Sequence, residues 1–157
     1  MAVKFSQETL KKFSDIVSRY PKKEGAMLPV LYLAQEEFGY LSPAAIEYVA
    51  RLMEVSSARV YGVVTFYTML HMKPVGCYHI QVCRTLPCAL MGAEKITAIL
   101  EEKLGIGLGQ TTADGKFTLS EVECLASCGT APMMQINDDY YENLTEGRVE
   151  EILRSLK

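Results

Sequence analysis

The first 73 residues carry apolar side chains at every third or fourth position, which is the spacing of amphipathic α-helices. Four helices are predicted, and because each is only about three turns long they must pack together or against a partner. The predicted buried stripes are, in chain order, Leu10, Phe13, Val17 and Tyr20; Leu31, Ala34 and Phe38; Ile46, Val49, Ala50 and Met53; and Val60, Val63, Val64 and Tyr67.

The expected helix ends follow from residues that cap or stop a helix. Ser6 is suited to cap the first helix and Pro21 to stop it. Ser42 followed by Pro43 is a strong start for the third helix, with serine as the N-cap and proline in the first turn. The fourth helix is expected to begin near Ser56 or Ser57, although its β-branched residues also suit a strand.

The pattern changes after Pro74, where alternation replaces the helical spacing. Residues 77–83 alternate between two faces and predict a strand that ends at Cys83. The elements expected after it are a helix from Cys88 to Gly105, strands at 117–123, 133–137 and 140–144, and a last helix capped by Thr145. This order suits a small mixed sheet with helices against it, the thioredoxin-like arrangement. The predicted fold class is α+β, with an N-terminal helical domain at 1–73 and a thioredoxin-like domain at 74–157.

Four cysteines form two closely spaced pairs in the second half of the chain. Four residues separate Cys83 from Cys88, and three separate Cys124 from Cys128. Two such pairs, each on its own loop after a strand, predict a four-thiolate site for a metal or an iron-sulfur cluster. Structural zinc more often uses C-x-x-C spacing, so the wider loops favour two irons, each held by one pair, and zinc remains the main chemical alternative. Cys88 is also expected at a helix N-terminus, which favours a thiolate.

Other cofactor and enzyme patterns fit less well. A Rieske centre needs a second histidine after the first cysteine pair, and no histidine follows His79. A thioredoxin-type dithiol needs C-x-x-C spacing, which neither pair has. The glycine run Gly105 to Gly109 follows a helix, whereas the glycine loop of a dinucleotide-binding fold opens a helix after a strand. Cys77 is expected roughly 20 Å from Cys83 along one strand, so it is interpreted as a half-buried strand residue and not as a ligand.

Composition and charge limit the compartments and the partners that are expected for this protein. The chain is 49% hydrophobic and 22% charged, which is enough for a packed core without disulfide or metal support. Five cysteines, together with the lack of an apolar secretory segment at the N-terminus, indicate a reducing compartment. The sequence contains no run of 18 apolar residues, so no membrane span is predicted. Residues 74–157 hold seven Lys or Arg against twelve Asp or Glu, a net charge of −5. With no basic patch, nucleic acid is not an expected partner.

Three segments resemble a known family of redox subunits. They are V-T-F-Y-T-M-L at 64–70, H-I-Q-V-C-R-T-L-P-C at 79–88 and E-C-L-A-S-C-G-T-A-P-M-M-Q-I-N-D-D-Y-Y-E-N-L at 123–144. They look like the thioredoxin-like 2Fe-2S subunit of respiratory complex I, the E subunit of bacterial NADH:quinone oxidoreductase. The family's ligand pattern coincides with Cys83, Cys88, Cys124 and Cys128, which implies that these four hold one 2Fe-2S cluster. Many members have Gly-Ala where this chain has Ala126-Ser127.

The resemblance implies an electron-transfer subunit without catalytic residues of its own. It would pack against the flavin-bearing subunit, which binds FMN and NADH, within a larger respiratory complex. This placement would be cytoplasmic and peripheral, on the cytoplasmic side of the inner membrane. Alternatives are the equivalent subunit of an NAD-reducing hydrogenase or formate dehydrogenase, and, from other classes, a zinc-stabilised interaction domain or a thiol-disulfide enzyme.

Overall fold

The computed structural model describes residues 3–156 and divides the chain into two compact units. These units are Met1–Pro74 and Val75–Lys157, and each has a hydrophobic core of its own. The first unit is helical, and the second combines helices with a four-stranded sheet. The predicted α+β fold class is therefore confirmed.

The first unit consists of four α-helices whose starts agree with the sequence signals. Their bounds are α1 Gln7–Ser18, α2 Met27–Phe38, α3 Pro43–Met53 and α4 Ser57–Phe66, with a 3-10 turn at Lys23–Ala26 before α2. The hydroxyls of Ser6, Ser42 and Ser56 each accept a hydrogen bond from the backbone N–H three residues later, at 3.2, 3.2 and 3.3 Å. Each satisfies one of the N–H groups that a helix start leaves without a partner.

The predicted stripes of α2, α3 and α4 are buried or half-buried, whereas the stripe of α1 is half-buried at Leu10, Phe13 and Val17 and exposed at Tyr20. Leu31, Val49 and Val60 are fully buried at the centre of the first core. Tyr20 instead lies beyond the end of α1 and is 40% exposed. The residue before proline disfavours the helical conformation, so α1 ends ahead of Pro21 and Tyr20 leaves the stripe.

The second unit is a mixed sheet with helices packed against it. Its elements are β1 Tyr78–Cys83, α5 Leu86–Leu90, α6 Ala93–Leu104, β2 Phe117–Val122, β3 Met134–Ile136, β4 Asp139–Tyr141 and α7 Glu146–Ser155. The strand order is β2-β1-β3-β4, with β1 parallel to β2 and the other neighbours antiparallel. Cys83, the last residue of β1, lies opposite Val122, the last residue of β2, so both strands end at one level of the sheet.

Two local predictions for this unit are wrong. The single helix expected from Cys88 is two helices, because Gly92 between them has a φ of +93° and an α-helix cannot continue through that conformation. Cys77 precedes β1 and is exposed, whereas the alternation predicted a half-buried strand residue. Among residues 3–156, no helix has the length and apolar character needed to cross a bilayer.

Candidate metal centre

Both cysteine pairs lie at the same end of the sheet. Cys83 ends β1, and the backbone N–H of Arg84 continues the parallel pairing by donating to Val122 O at 3.0 Å. Cys124 follows two residues after β2 ends. Because β1 and β2 are parallel neighbours, the two loops leave the sheet side by side, as their position after strands had suggested.

The first pair belongs to the hydrophobic core of the second unit. Cys83 is 2% exposed and Cys88 is 1% exposed, and their side chains are hydrogen-bonded to each other. The Sγ atom of Cys83 lies 3.3 Å from the Thr85 hydroxyl, and the backbone N–H of Cys83 donates to Met133 O at 3.2 Å. The five-residue helix α5 carries Cys88 back toward β1, so that both thiols face the interior.

The second pair is exposed on a short loop. The sulfur atoms of Cys124 and Cys128 are 3.9 Å apart, and the N–H of Ala126 donates to Cys124 Sγ at 3.3 Å. Ala126 has a φ of +62°, a conformation that turns the chain sharply between the two cysteines. The turn thereby brings a backbone N–H within hydrogen-bond distance of a cysteine sulfur.

The pKa values of the first two thiols depend on their surroundings, which include the second loop. Burial raises the pKa of Cys88 to about 11, and the neighbouring Cys83 thiol contributes to this rise. Burial also disfavours the thiolate of Cys83, but hydrogen bonds from the Thr85 hydroxyl and from the backbone of Leu125 and Thr85 outweigh it and lower the pKa of Cys83. Leu125 belongs to the second loop, so its N–H connects that loop to a thiol of the first.

One electrostatic prediction is wrong. The helix N-terminus at Cys88 was expected to favour a thiolate, and the pKa of this thiol is raised. The helix is one and a half turns long, and burial beside a second sulfur outweighs the small dipole at its start. The pKa of Cys128 is also raised, first by its hydrogen bond with Cys124 and then by the charge of that neighbour.

The donor set is four sulfurs arranged as two pairs. In the described residues, no group of three or more His, Cys, Asp or Glu side chains is arranged to hold a single metal ion. Two thiol pairs, with no nitrogen or oxygen donor between them, match the ligand chemistry of a 2Fe-2S cluster, in which four cysteine thiolates bind two irons. The residues present therefore fit that cofactor.

Two features around the cysteines were not predicted from the sequence. Arg84 and Glu123, which adjoin the two pairs, form an exposed ion pair at 2.7 Å that joins the loops, and solvent screens such a pair strongly. Near Cys88, the apolar side chains of Leu86, Leu90 and Met91 are 71%, 77% and 62% exposed. Neither the pairing of Arg84 with a residue 39 positions away nor the exposure of α5 leaves a sequence signal.

Comparison with known proteins identifies the family. Residues 13–157 match the thioredoxin-like 2Fe-2S ferredoxins. The chain belongs to this family. The resemblance noted in the sequence is thereby confirmed, and the cofactor that it implied, a 2Fe-2S cluster, is the one that gives the family its name.

Similar proteins are components of larger redox complexes. The E subunit of NADH-quinone oxidoreductase from Rickettsia felis is 52% identical over 152 residues, which cover 95% of this chain and 91% of that protein. The E 2 subunit of the Rhizobium meliloti enzyme is 44% identical over 140 residues, covering 89% of this chain and 83% of that protein. A crystal structure of an air-oxidized NAD+-reducing NiFe-hydrogenase is 19% identical, with a TM-score of 0.72, and covers 83% of this chain and 22% of that chain. That likeness shows a shared fold.

The backbone at Ala126 predicts a stabilising substitution. An alanine with a φ of +62° carries steric strain that glycine does not. Ala126→Gly is therefore expected to increase the free energy of unfolding by about 0.5 to 1 kcal/mol, after the extra chain entropy of glycine is subtracted. Urea denaturation of the metal-free protein measures this change.

The matched control is Ala89→Gly, in helix α5 of the other cysteine loop. Ala89 is exposed and helical, so the same substitution there is expected to lower stability by about 0.5 to 1 kcal/mol. Destabilisation by both substitutions would show that Ala126 is not strained.

Proposed function

We propose that Cys83, Cys88, Cys124 and Cys128 bind one 2Fe-2S cluster, and that the chain is an electron-transfer subunit of an NADH-quinone oxidoreductase. The observation that carries this proposal is the position of two thiol pairs at the ends of two adjacent parallel strands. The two E-type relatives, at 52% and 44% identity, support the choice of complex. Within this proposal, the chain has a helical domain at 1–73 and a cluster domain at 74–157, and the division of the structure into Met1–Pro74 and Val75–Lys157, one residue away, supports it.

The chain's own part in the chemistry is to hold and tune the cluster. When bound, a 2Fe-2S cluster accepts and releases one electron at a time. Rigid strand ends fix the cysteines, so little structural change accompanies a change of charge. The N–H groups of Ala126 and Leu125 point at cysteine sulfurs, and such hydrogen bonds raise a cluster's reduction potential.

The two cysteine pairs differ in burial, so the proposed cluster site has a buried side and an exposed side. Cys83 and Cys88 are buried in the core, whereas Cys124 and Cys128 are exposed. Cys83 and Cys88 would hold a cluster from the side of the core, and Cys124 and Cys128 would hold it from the solvent-exposed side. Electrons would therefore pass through the exposed side of the site, where another protein can approach.

The partner in this proposal is the flavin-bearing subunit that binds FMN and NADH. The apolar side chains of Leu86, Leu90 and Met91, on or next to the helix that contains Cys88, support a protein partner beside the cluster, since large exposed apolar groups often mark interfaces. The proposed location is the cytoplasmic side of the inner membrane, reached through the complex. Reconstituting the purified chain with the flavin subunit and measuring its binding, with Leu90→Asp as the disrupting variant, tests this contact.

The cofactor itself is tested by analysis of the protein purified without oxygen. Two irons and two acid-labile sulfides per chain, with the visible absorption of a 2Fe-2S cluster, are the expected result. Colourless protein that contains zinc without iron or sulfide would refute the proposal and establish the zinc-stabilised alternative. Reduction of insulin disulfides dependent on Cys83 or Cys88 would instead indicate a thiol-disulfide enzyme.

The host complex has a second candidate. The fold is shared with a chain of an NAD+-reducing hydrogenase, at 19% identity. The equivalent subunit of a formate dehydrogenase is an alternative of the same kind. The higher identity to a quinone oxidoreductase component favours that complex. Purification from the source organism under mild conditions decides this, because the accompanying subunits would be those of a quinone reductase, a hydrogenase or a formate dehydrogenase.

A further inference from the structure

A carboxylate located after strand β4 is hydrogen-bonded to the loop that carries the second cysteine pair. The hydroxyl of Thr130 donates to Glu142 Oε1 at 2.6 Å, and the hydroxyl of Ser127 donates to the same oxygen. The two hydroxyl oxygens are themselves 2.7 Å apart. Ser127 comes directly before Cys128 and Thr130 two residues after it, so Glu142 holds the chain on both sides of this cysteine.

Further contacts connect the same two segments. The phenol of Tyr140 donates to Leu125 O at 2.8 Å, and the N–H of Asn143 donates to Thr130 O at 2.8 Å. Leu125 follows Cys124, and its N–H contacts the Cys83 thiol. The loop is therefore held to the segment after β3 near both of its cysteines, and Glu142 provides the side-chain contacts next to Cys128.

The loop needs such external contacts because its own conformation is poorly stabilised. Cys124 and Cys128 are exposed, and Ala126 has the strained φ of +62°. A strained turn persists only where surrounding contacts fix it. Hydrogen bonds to an ionised carboxylate are roughly twice as strong as those between neutral groups, which makes Glu142 well suited to this task.

Glu142 is ionised in the folded protein. Hydrogen bonds from Ser127 and Thr130 lower the pKa of its carboxyl group. Across residues 3–156 no ion pair to Glu142 is formed, so these two hydroxyls are its polar side-chain partners.

We propose that Glu142 is a positioning residue for the cluster: through Ser127 and Thr130 it fixes the loop around Cys128 and directs that sulfur toward the iron. The inference rests on the proposed function, in which Cys128 is a ligand. It adds a residue that lies outside the cysteine motif and reaches the cluster only through its neighbours. It also gives a role to Ser127, one of the two positions at which this chain departs from the Gly-Ala of many relatives.

The test compares two substitutions of Glu142 in the cluster-loaded protein. Glu142→Ala removes both hydrogen bonds and is expected to accelerate cluster loss to an iron chelator about tenfold, the lower end of the range for residues that orient metal ligands. It should also alter the visible circular dichroism and the EPR spectrum of the reduced cluster. Glu142→Gln keeps a single oxygen that can accept both hydroxyls, but through weaker neutral hydrogen bonds, so its rate of cluster loss should lie between those of Glu142→Ala and the unsubstituted protein.

A carboxylate at the other end of the sheet provides the matched control. Asp114 precedes β2, is exposed, and accepts hydrogen bonds from the Thr112 hydroxyl at 2.5 Å and from the Lys116 N–H at 3.0 Å. Asp114→Ala therefore removes a similar carboxylate without touching a cysteine loop, and should leave both the spectra and the cluster-loss rate unchanged. Ser127→Ala should reproduce part of the Glu142→Ala effect.

Two results would overturn the inference. One is a cluster-loss rate and spectra for Glu142→Ala that equal those of Asp114→Ala. The other is equal acceleration by Glu142→Gln and Glu142→Ala, which would assign the effect to charge instead of position. If the unsubstituted protein holds no 2Fe-2S cluster, the proposed function itself fails, and that outcome is distinct because it precedes any comparison of variants.

Discussion

Cys124→Ser and Cys128→Ser are each expected to abolish stable cluster binding, whereas Cys77→Ser leaves it intact. Iron in a 2Fe-2S cluster is held by soft thiolate ligands, for which a serine oxygen is a poor substitute. The sulfur atoms of Cys124 and Cys128 lie 3.9 Å apart at one end of the sheet. Cys77 precedes β1 at the opposite end, roughly 20 Å of strand away from Cys83.

The measurement is iron and sulfide content with the visible spectrum, taken on the three variants purified in parallel without oxygen. The Cys77 variant controls for the general effect of replacing an exposed cysteine, because Cys124, Cys128 and Cys77 are all exposed. An unchanged spectrum in both ligand variants would refute the assignment of these cysteines. Loss of the cluster in Cys77→Ser would show that the fold, and not the ligand set, had been disturbed.

The second large effect is expected at Gly76, two residues before β1. A Cβ atom there would lie 2.8 Å from the carbonyl carbon and oxygen of Lys116 and 2.8 Å from the carbonyl carbon of Phe117. These are backbone atoms at the start of the β1–β2 pairing, so they cannot move aside as a flexible side chain would. Gly76→Ala should lower the free energy of unfolding by about 2 to 3 kcal/mol.

Gly147→Ala provides the matched control in the same unit. Gly147 lies in the first turn of α7, and a Cβ atom added to it meets no heavy atom within 4 Å. Alanine there is expected to stabilise the protein by about 0.5 kcal/mol, because it loses less chain entropy in a helix. Denaturation of both variants in urea should therefore give changes of opposite sign. Equal small effects would mean that Gly76 does not contact the β2 backbone as described.

Local sequence signals were sufficient for most of the secondary structure. Ser6, Ser42 and Ser56 cap their helices as predicted, since a cap depends on residues only three positions apart. The signals fail where the outcome depends on a single backbone conformation. Gly92 divides the helix expected after Cys88, and the apolar spacing on its two sides gives no indication of this break.

Spacing and strand ends were also sufficient to group the cysteines in pairs and to place Cys77 at the other end of β1. Their electrostatics were not predictable, since the Cys88 thiol is buried beside Cys83 and its pKa rises to about 11. A dipole argument from a helix start cannot anticipate that burial. The positions of Arg84 and Glu123, each beside a cysteine, are plain in the sequence, but their ion pair depends on the strand register.

The sequence by itself determined where the helices of the first unit begin, that β1 and β2 end beside the cysteines, and the two thiol pairs, because each depends on neighbours within a few positions. Only the tertiary structure decided what connects them: β1 beside β2, Leu125 on the Cys83 thiol, and Glu142 on both sides of Cys128. These contacts join residues 12 to 42 positions apart. Such pairings are set by the order and register of strands, which no short-range pattern of hydrophobic and polar residues records.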